Sequence, residues 1–382
     1  MQYYKRHKQA LNIFYNNLDR LASQYACKKE WIMFGSSRIS GMIISYLRTK
    51  GIQVSAIIDN DSARQGETAF QVNIYGPENL LCPYRNNALI LIASAHQEAM
   101  IEQLAKLGYE YGTDVVKVID LPELMNQYNF EDRSGYKKMT LSECKRHQLD
   151  ILDYLQSLCQ KHGLHYCISG GTLIGAVRHK GYIPWDDDID IVMEIKDLMK
   201  LSEILKNDKR YKLISMFDEE LDYFDDCSLL VDTETIMDMN RFPIQSTTGV
   251  SIDIFLLTGI PDGQAGKDYM VKARQLETQC YNTLYSYSKC RNNIKILIDY
   301  LLQYDFYHYK KAGAVLGSYF YKEILEQADY ADHIEMPFED RIFWAPKGYE
   351  HYLTQIFGDY MQLPPKEQQH TNHNFYAYYK NK

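Results

Sequence analysis

Three short apolar runs constrain this chain most: Trp31-Ile32-Met33-Phe34, Val54-Ser55-Ala56-Ile57-Ile58 and Ala88-Leu89-Ile90-Leu91-Ile92-Ala93. Each has strand length and lacks the full polar alternation of a strand with one wet face. Strands that read this way are buried on both faces, as in a parallel sheet covered by helices. Helical patterns separate them, over 39–50 (closed by Gly51) and 96–107, and a further short strand follows at 115–118. Alternation of this kind predicts a doubly wound α/β domain over residues 30–120. Residues 1–29 precede it as a helix with one apolar stripe, at Leu11, Phe14, Leu18, Leu21 and Tyr25.

A chain of 382 residues has room for a second domain. Residues 121–139 turn polar and lose periodicity, which predicts a linker. Residues 140–382 then open on a long amphipathic helix at 141–162. After it come a Gly-Gly pair, an Asp-rich segment, an apolar strand at 250–257 and a Tyr-rich, mostly helical stretch at 265–330. The net charge of −8 argues against non-specific nucleic-acid binding, which needs a basic face. Eight scattered cysteines without a CxxC pair fit a reducing compartment better than a disulfide scaffold. No membrane span is expected, because no window approaches 18 apolar residues. The basic N-terminus is followed by no apolar stretch, so it does not read as a signal peptide. The expected location is the cytoplasm. The 33 tyrosines suit either amphipathic packing or a surface that stacks on sugars and quaternary ammonium groups.

Two segments carry candidate chemistry. The first is Gly35-Ser36-Ser37-Arg38-Ile39-Ser40-Gly41, a turn between a strand and a helix, with Asp59 ending the next strand. Gly35, Ser36, Ser37 and Asp59 occupy the places of a nucleotide or nucleotide-sugar site. Ser37 stands where the middle glycine of a dinucleotide loop lets the backbone approach a pyrophosphate. The alternative is a turn that only packs.

The second segment runs from Gly170-Gly171-Thr172 to Trp185-Asp186-Asp187-Asp188-Ile189-Asp190-Ile191. Asp188 and Asp190 are two apart in a strand-like run, so their carboxylates share a face while Ile189 and Ile191 point to the core. Paired carboxylates repel, and a divalent cation with hard oxygen ligands, Mg²⁺ or Mn²⁺, relieves that repulsion. Asp253, alone in the apolar strand Val250-Ser251-Ile252-Asp253-Ile254, is a third carboxylate that a neighbouring strand could supply. Gly170, Gly171 and Thr172 open a helix whose amides suit a phosphate, and Arg178, His179 and Lys180 add local positive charge.

Gly-Gly, then alternating Asp and apolar residues, then a later lone strand Asp, resembles the nucleotidyltransferase superfamily. The string Gly170-Gly171-Thr172-Leu173, Gly175-Ala176-Val177-Arg178-His179 and Ile183-Pro184-Trp185-Asp186-Asp187-Asp188-Ile189-Asp190 resembles the LicD family of phosphotransferases. So does the tail around Ala345-Pro346-Lys347-Gly348-Tyr349. The likeness covers about residues 140–375. The N-terminal part instead resembles Rossmann-like domains appended to sugar-modifying enzymes, through Phe34-Gly35-Ser36-Ser37 and Ile57-Ile58-Asp59-Asn60-Asp61.

The resemblance implies an α+β nucleotidyltransferase-like second domain with helical C-terminal additions. It implies transfer of phosphocholine or a related alcohol phosphate from a CDP-linked donor to a sugar hydroxyl of a glycan or lipid-linked precursor, as in lipopolysaccharide or teichoic acid synthesis. Asp188 and Asp190 would then hold Mg²⁺. Asp253 would complete the metal shell or take the acceptor's proton, and Gly170, Gly171 and Thr172 would cradle phosphate. Arg178 and Lys347 would stabilise charge or form surface ion pairs, and His179 would be a base or a structural histidine. The rival readings are a nucleotidyltransferase that releases pyrophosphate, and a catalytically silent nucleotide-binding protein.

Overall fold

The structure, a computed structural model, describes residues 2–80, 87–94, 96–119, 133–218, 224–241, 244–371 and 375–380. The chain divides into two units. The first comprises 1–132, 241–246 and 278–293, and the second 133–240, 247–277 and 294–382. Residues 121–132 of the expected linker lie outside the described residues.

In the first unit, helix α1 (Gln2–Gln24) precedes β1 (Glu30–Phe34), α2 (Arg38–Thr49) and β2 (Val54–Ile58). The short strands β3 (Thr68–Ala69) and β4 (Val72–Tyr75), then β5 (Ala88–Ile92), α3 (Gln97–Lys106) and β6 (Val115–Lys117), follow. The apolar runs become the centre of one sheet of order β3-β4-β2-β1-β5-β6. β1 pairs in parallel with β2 and with β5, β4 joins β2 and β6 joins β5 in the same sense, and only β3 is antiparallel. Every residue of β5 is buried, as is Trp31 on β1. The stripe expected on α1 is the face it buries, with Phe14 and Leu18 inaccessible to solvent.

The second unit opens on α4 (Leu141–His162). Thr140 and Glu143 cap its start reciprocally, and Gly163 (φ 63°) ends it in the left-handed conformation. β7 (Tyr166–Ile168), α5 (Gly170–His179), β8 (Asp190–Glu194), α6 (Ile195–Leu205), β9 (Tyr211–Ile214) and β10 (Ser228–Asp232) come next. They lead to β11 (Thr235–Arg241), β12 (Ile244–Thr248) and the long β13 (Ser251–Ile260). Helices α7 (Gly263–Asn282) and α8 (Tyr287–Leu301), which share residues 278–293 with the first unit, precede β14 (Lys311–Gly313), β15 (Leu325–Glu326) and α9 (Gln327–Ala331). A hairpin of β16 (His333–Phe338) and β17 (Arg341–Pro346), helix α10 (Tyr349–Phe357) and β18 (Phe375–Tyr379) complete the chain. The main sheet is mixed: β8 lies parallel to β13, whereas β7 on β8, and β10 and β14 on β13, are antiparallel.

Residues 140–382 are not one unit as expected, because 278–293 packs with the first. Aromatic contacts hold it there: the Tyr285 ring meets Tyr15 and Tyr46 edge-on, with centroids 6.1 and 5.7 Å away. The Arg38 guanidinium lies 4.0 Å from the Tyr281 ring centroid and donates to its hydroxyl at 2.8 Å. Elsewhere the tyrosines also pack on one another, as Tyr269 does against Tyr304 at 3.8 Å between centroids. Among the described residues no helix is long and apolar enough to cross a membrane.

Candidate active site

The parallel pairing of β8 with β13 sets Asp190 directly beside Asp253. Their neighbours Ile189, Ile191, Ile252 and Ile254 are wholly buried, which fixes the register and turns both carboxylates to the opposite face. The Asp253 amide donates to the Ile189 carbonyl at 2.8 Å, and the Ser169 amide to the Asp190 carbonyl at 2.9 Å. Asp188 does not lie on the strand as expected, because β8 begins at Asp190. It belongs to the segment leading in, where carboxylate oxygens of Asp186, Asp187 and Asp188 all lie within 4.8 Å of one another.

Gly170 and Gly171 are required for this crowding. A Cβ on Gly170 would sit 2.8 Å from Oδ2 of Asp190, and one on Gly171 would sit 2.9 Å from Oδ2 of Asp186. Gly170 also has φ +53°, which a side chain disfavours. The amides expected to receive phosphate are engaged within the protein. Gly170 donates to the Tyr352 hydroxyl at 3.1 Å, and Gly171 to the Asp190 carboxylate. The Thr172 hydroxyl accepts from the Asp190 amide at 2.8 Å. These three residues therefore hold the acidic cluster in place.

Burial pushes the Asp190 carboxyl well above its usual range, and the facing carboxylates of Asp188, Asp253 and Asp186 push it further. Asp186 is raised as well, by burial and by Asp187, against the pull of its bond to Asp188 and the field of Lys145. Several oxygen donors crowded together at such an electrostatic cost suit a hard divalent cation.

Comparison with known proteins gives the family. The LicD/FKTN/FKRP nucleotidyltransferase-domain model matches residues 163–290, which include Gly170, Gly171, Asp188, Asp190 and Asp253. The lipopolysaccharide cholinephosphotransferase LicD of Haemophilus influenzae is 30% identical over 266 residues, 63% of this chain and 99% of that protein. This chain belongs to the LicD family. A human ribitol 5-phosphate transferase, FKRP, is 34% identical over 55 residues, 14% of this chain and 11% of FKRP. An uncharacterised Rickettsia typhi protein is 30% identical over 154 residues, 40% of this chain and 43% of its own length. Among solved structures, a Vibrio fischeri UDP-D-quinovosamine 4-dehydrogenase shares 26% identity and covers 26% of this chain and 85% of its own, at a TM-score of 0.21.

The basic residues expected to serve this LicD-family site are engaged elsewhere. Arg178 donates to the backbone carbonyls of Tyr360 (2.7 Å) and Gln362 (3.2 Å), and through Nε to Nε2 of His179 at 2.9 Å. His179 therefore carries its proton on Nδ1 when neutral, and burial together with Arg178 lowers its pKa. Lys347 forms an exposed ion pair with Asp332 at 3.0 Å.

In the first unit, Asp59 folds back onto the glycine turn. It accepts from the Ser36 amide at 3.0 Å and from the Ser36 hydroxyl, while the Arg64 guanidinium binds the Ser36 carbonyl at 3.1 Å. Partial burial works against ionisation of Asp59. The Ser36 and Asp61 donors nevertheless hold its carboxyl below the usual range. A carboxylate thus takes the Ser36 amide that a phosphate would use, and Gly35, Ser36, Ser37 and Asp59 form a self-satisfied turn. Gly41 is needed for packing: a Cβ there would meet the Phe70 ring at 2.5 Å and Oδ1 of Asn282 at 2.7 Å.

Asp186, Asp187 and Lys145 join the expected site residues in or beside this cluster. Asp187 is buried, and its Oδ2 accepts from the Thr371 hydroxyl at 2.5 Å. The three consecutive aspartates were a visible signal for the first two. Nothing local marked Lys145, which stands on α4 about forty residues earlier in the chain.

Proposed function

We propose that this protein transfers an alcohol phosphate, phosphocholine or a relative such as ribitol phosphate, from a CDP-linked donor to a sugar hydroxyl of a cell-surface glycan precursor. The observation that carries this reading is the Asp190–Asp253 register beside Asp186 and Asp188, in a chain that spans 99% of a lipopolysaccharide cholinephosphotransferase. Asp188, Asp190 and Asp253 would hold Mg²⁺ or Mn²⁺, which when bound neutralises diphosphate charge.

The chain's own residues supply the rest. Gly170 and Gly171 leave room for the carboxylates, and the Thr172 hydroxyl fixes the start of β8. The acceptor oxygen attacks the phosphorus that bears the alcohol. A new P–O bond forms, the bond to the bridging oxygen breaks, and CMP departs with that electron pair. The hydroxyl proton passes to a carboxylate of the cluster and then to solvent, and Asp253 would either take that proton or complete the metal shell.

Incubation with Mg²⁺ and a panel of CDP-alcohols tests the reading by thermal melting and product analysis. A true donor at a hundredfold excess over its Kd adds about 2.7 kcal/mol to stability. CMP is the expected product. Pyrophosphate released from a nucleoside triphosphate would support a nucleotidyltransferase instead. A protein that binds no divalent cation by calorimetry would support the silent binding protein.

A further inference from the structure

The proposed reaction brings a polyanionic donor to a site of five clustered aspartates. Metal charge offsets part of the repulsion, and a protein cation beside the cluster would offset more. Arg178 and Lys347 do not fill that place, because the first binds backbone carbonyls and the second binds Asp332.

Lys145 does lie in the field of the cluster. It projects from the first turns of α4, and the carboxylates it feels are Asp186, Glu339, Asp187 and Asp188. No described carboxylate lies within ion-pair distance of its ammonium. Instead Nζ sits 4.4 Å from the centroid of the Tyr182 ring.

That arrangement is built into the fold. The Tyr182 hydroxyl donates to Oε1 of Gln148 at 2.9 Å, one helical turn beyond Lys145, and Nε2 of Gln148 donates to the Asp187 carbonyl at 2.9 Å. The Tyr182 amide donates to Oε1 of Glu339 at 3.0 Å, fixing that carboxylate too. Gln148 and Tyr182 are both buried, so this scaffold is rigid. A half-buried ammonium held over a ring keeps its donors available, whereas a close ion pair would consume them.

We propose that Lys145 binds the donor, donating from its ammonium to a phosphate oxygen that the metal does not reach. This assignment rests on the phosphotransferase reading. Isothermal titration of CDP-choline and CDP-ribitol in the presence of Mn²⁺, preceded by titration of Mn²⁺ alone, tests it on wild type, Lys145→Met and Lys145→Arg. The Met variant should bind the donor at least about tenfold more weakly, a difference of about 1.4 kcal/mol. Its affinity for Mn²⁺ alone should be unchanged or higher, a response that general damage to the site would not give. The Arg variant should recover most of the donor affinity. Lys145→Gln serves in the same way if the Met variant melts early. Donor binding by the Met or Gln variant within twofold of a binding wild type overturns the Lys145 assignment alone. A wild type that binds Mn²⁺ but neither donor overturns the transferase reading and Lys145 with it.

Discussion

The two glycine turns of this molecule share a plan and differ in electrostatics. In each, a buried strand runs into a turn that holds a glycine with positive φ, a helix begins, and an aspartate at the end of a neighbouring strand or just beyond it accepts a backbone amide of the turn. At Gly35 that aspartate is surrounded by donors from Ser36 and Asp61, and its carboxyl is held low. At Gly170 it is surrounded by other carboxylates, and its carboxyl is driven up. The same backbone motif thus gives a hydrogen-bonded joint in one unit and a cluster of mutually repelling carboxylates in the other. A strand–glycine–helix turn alone does not make a site; the partners of the carboxylate decide.

The contrast is open to test, and the largest effect belongs to the aspartates. Asp190→Asn should lower transfer by about a thousandfold, roughly 4 kcal/mol of transition-state stabilisation, whereas Asp59→Asn should leave kcat/KM within about twofold. Turnover by the Asp190 variant near the wild-type rate would remove the second turn from catalysis. The glycines come next. Gly170→Ala meets both strain and the Asp190 carboxylate, so it should lose about 1–3 kcal/mol of stability together with most activity. Gly35→Ala is strained at φ +94°, yet its nearest neighbour would be 4.0 Å from the new Cβ. It should cost about 1–2 kcal/mol in melting experiments and spare the activity of the folded protein.

The smallest effect is the dependence of metal-free stability on pH. A depressed carboxyl such as Asp59 contributes stability above the unfolded carboxylate range, about pH 4, and loses it as pH falls. A raised carboxyl such as Asp190 behaves oppositely: its contribution is complete below that range and is lost as pH rises. Melting curves in chelator between about pH 3 and 8 should therefore show Asp59→Asn with a flatter acid limb. Asp190→Asn should melt above wild type on the neutral side. A lower neutral Tm for Asp190→Asn would contradict the repulsion.

Much of this was legible in the sequence where local pattern decides structure. The apolar runs became β1, β2 and β5, and the long periodic stretch became α4 with its capping box and terminal glycine. The approach of Asp253 to Asp190 was legible as a lone aspartate in an apolar strand, which needs a partner or a metal from a neighbouring strand. Features that depend on long-range packing were not legible. The transfer of 278–293 to the first unit rests on rings of Tyr15, Tyr46 and Tyr285, which no local window connects. The capture of the Gly170 amide by Tyr352 spans 182 positions. The position of Asp188 ahead of β8 reflects where the ladder begins, which the alternation of Asp and Ile does not encode.

The placement of the three tryptophans gives the chain optical probes of its own. Trp31 is the lone indole of the first unit, sealed in its central sheet. Trp185 adjoins Asp186, and Trp344 stacks on His333 at 4.2 Å between centroids. With Trp185 and Trp344 changed to Phe, emission reports the melting of the first unit alone. With Trp31 and Trp344 changed to Phe, Trp185 emission during a Mn²⁺ titration would report events at the adjacent aspartates.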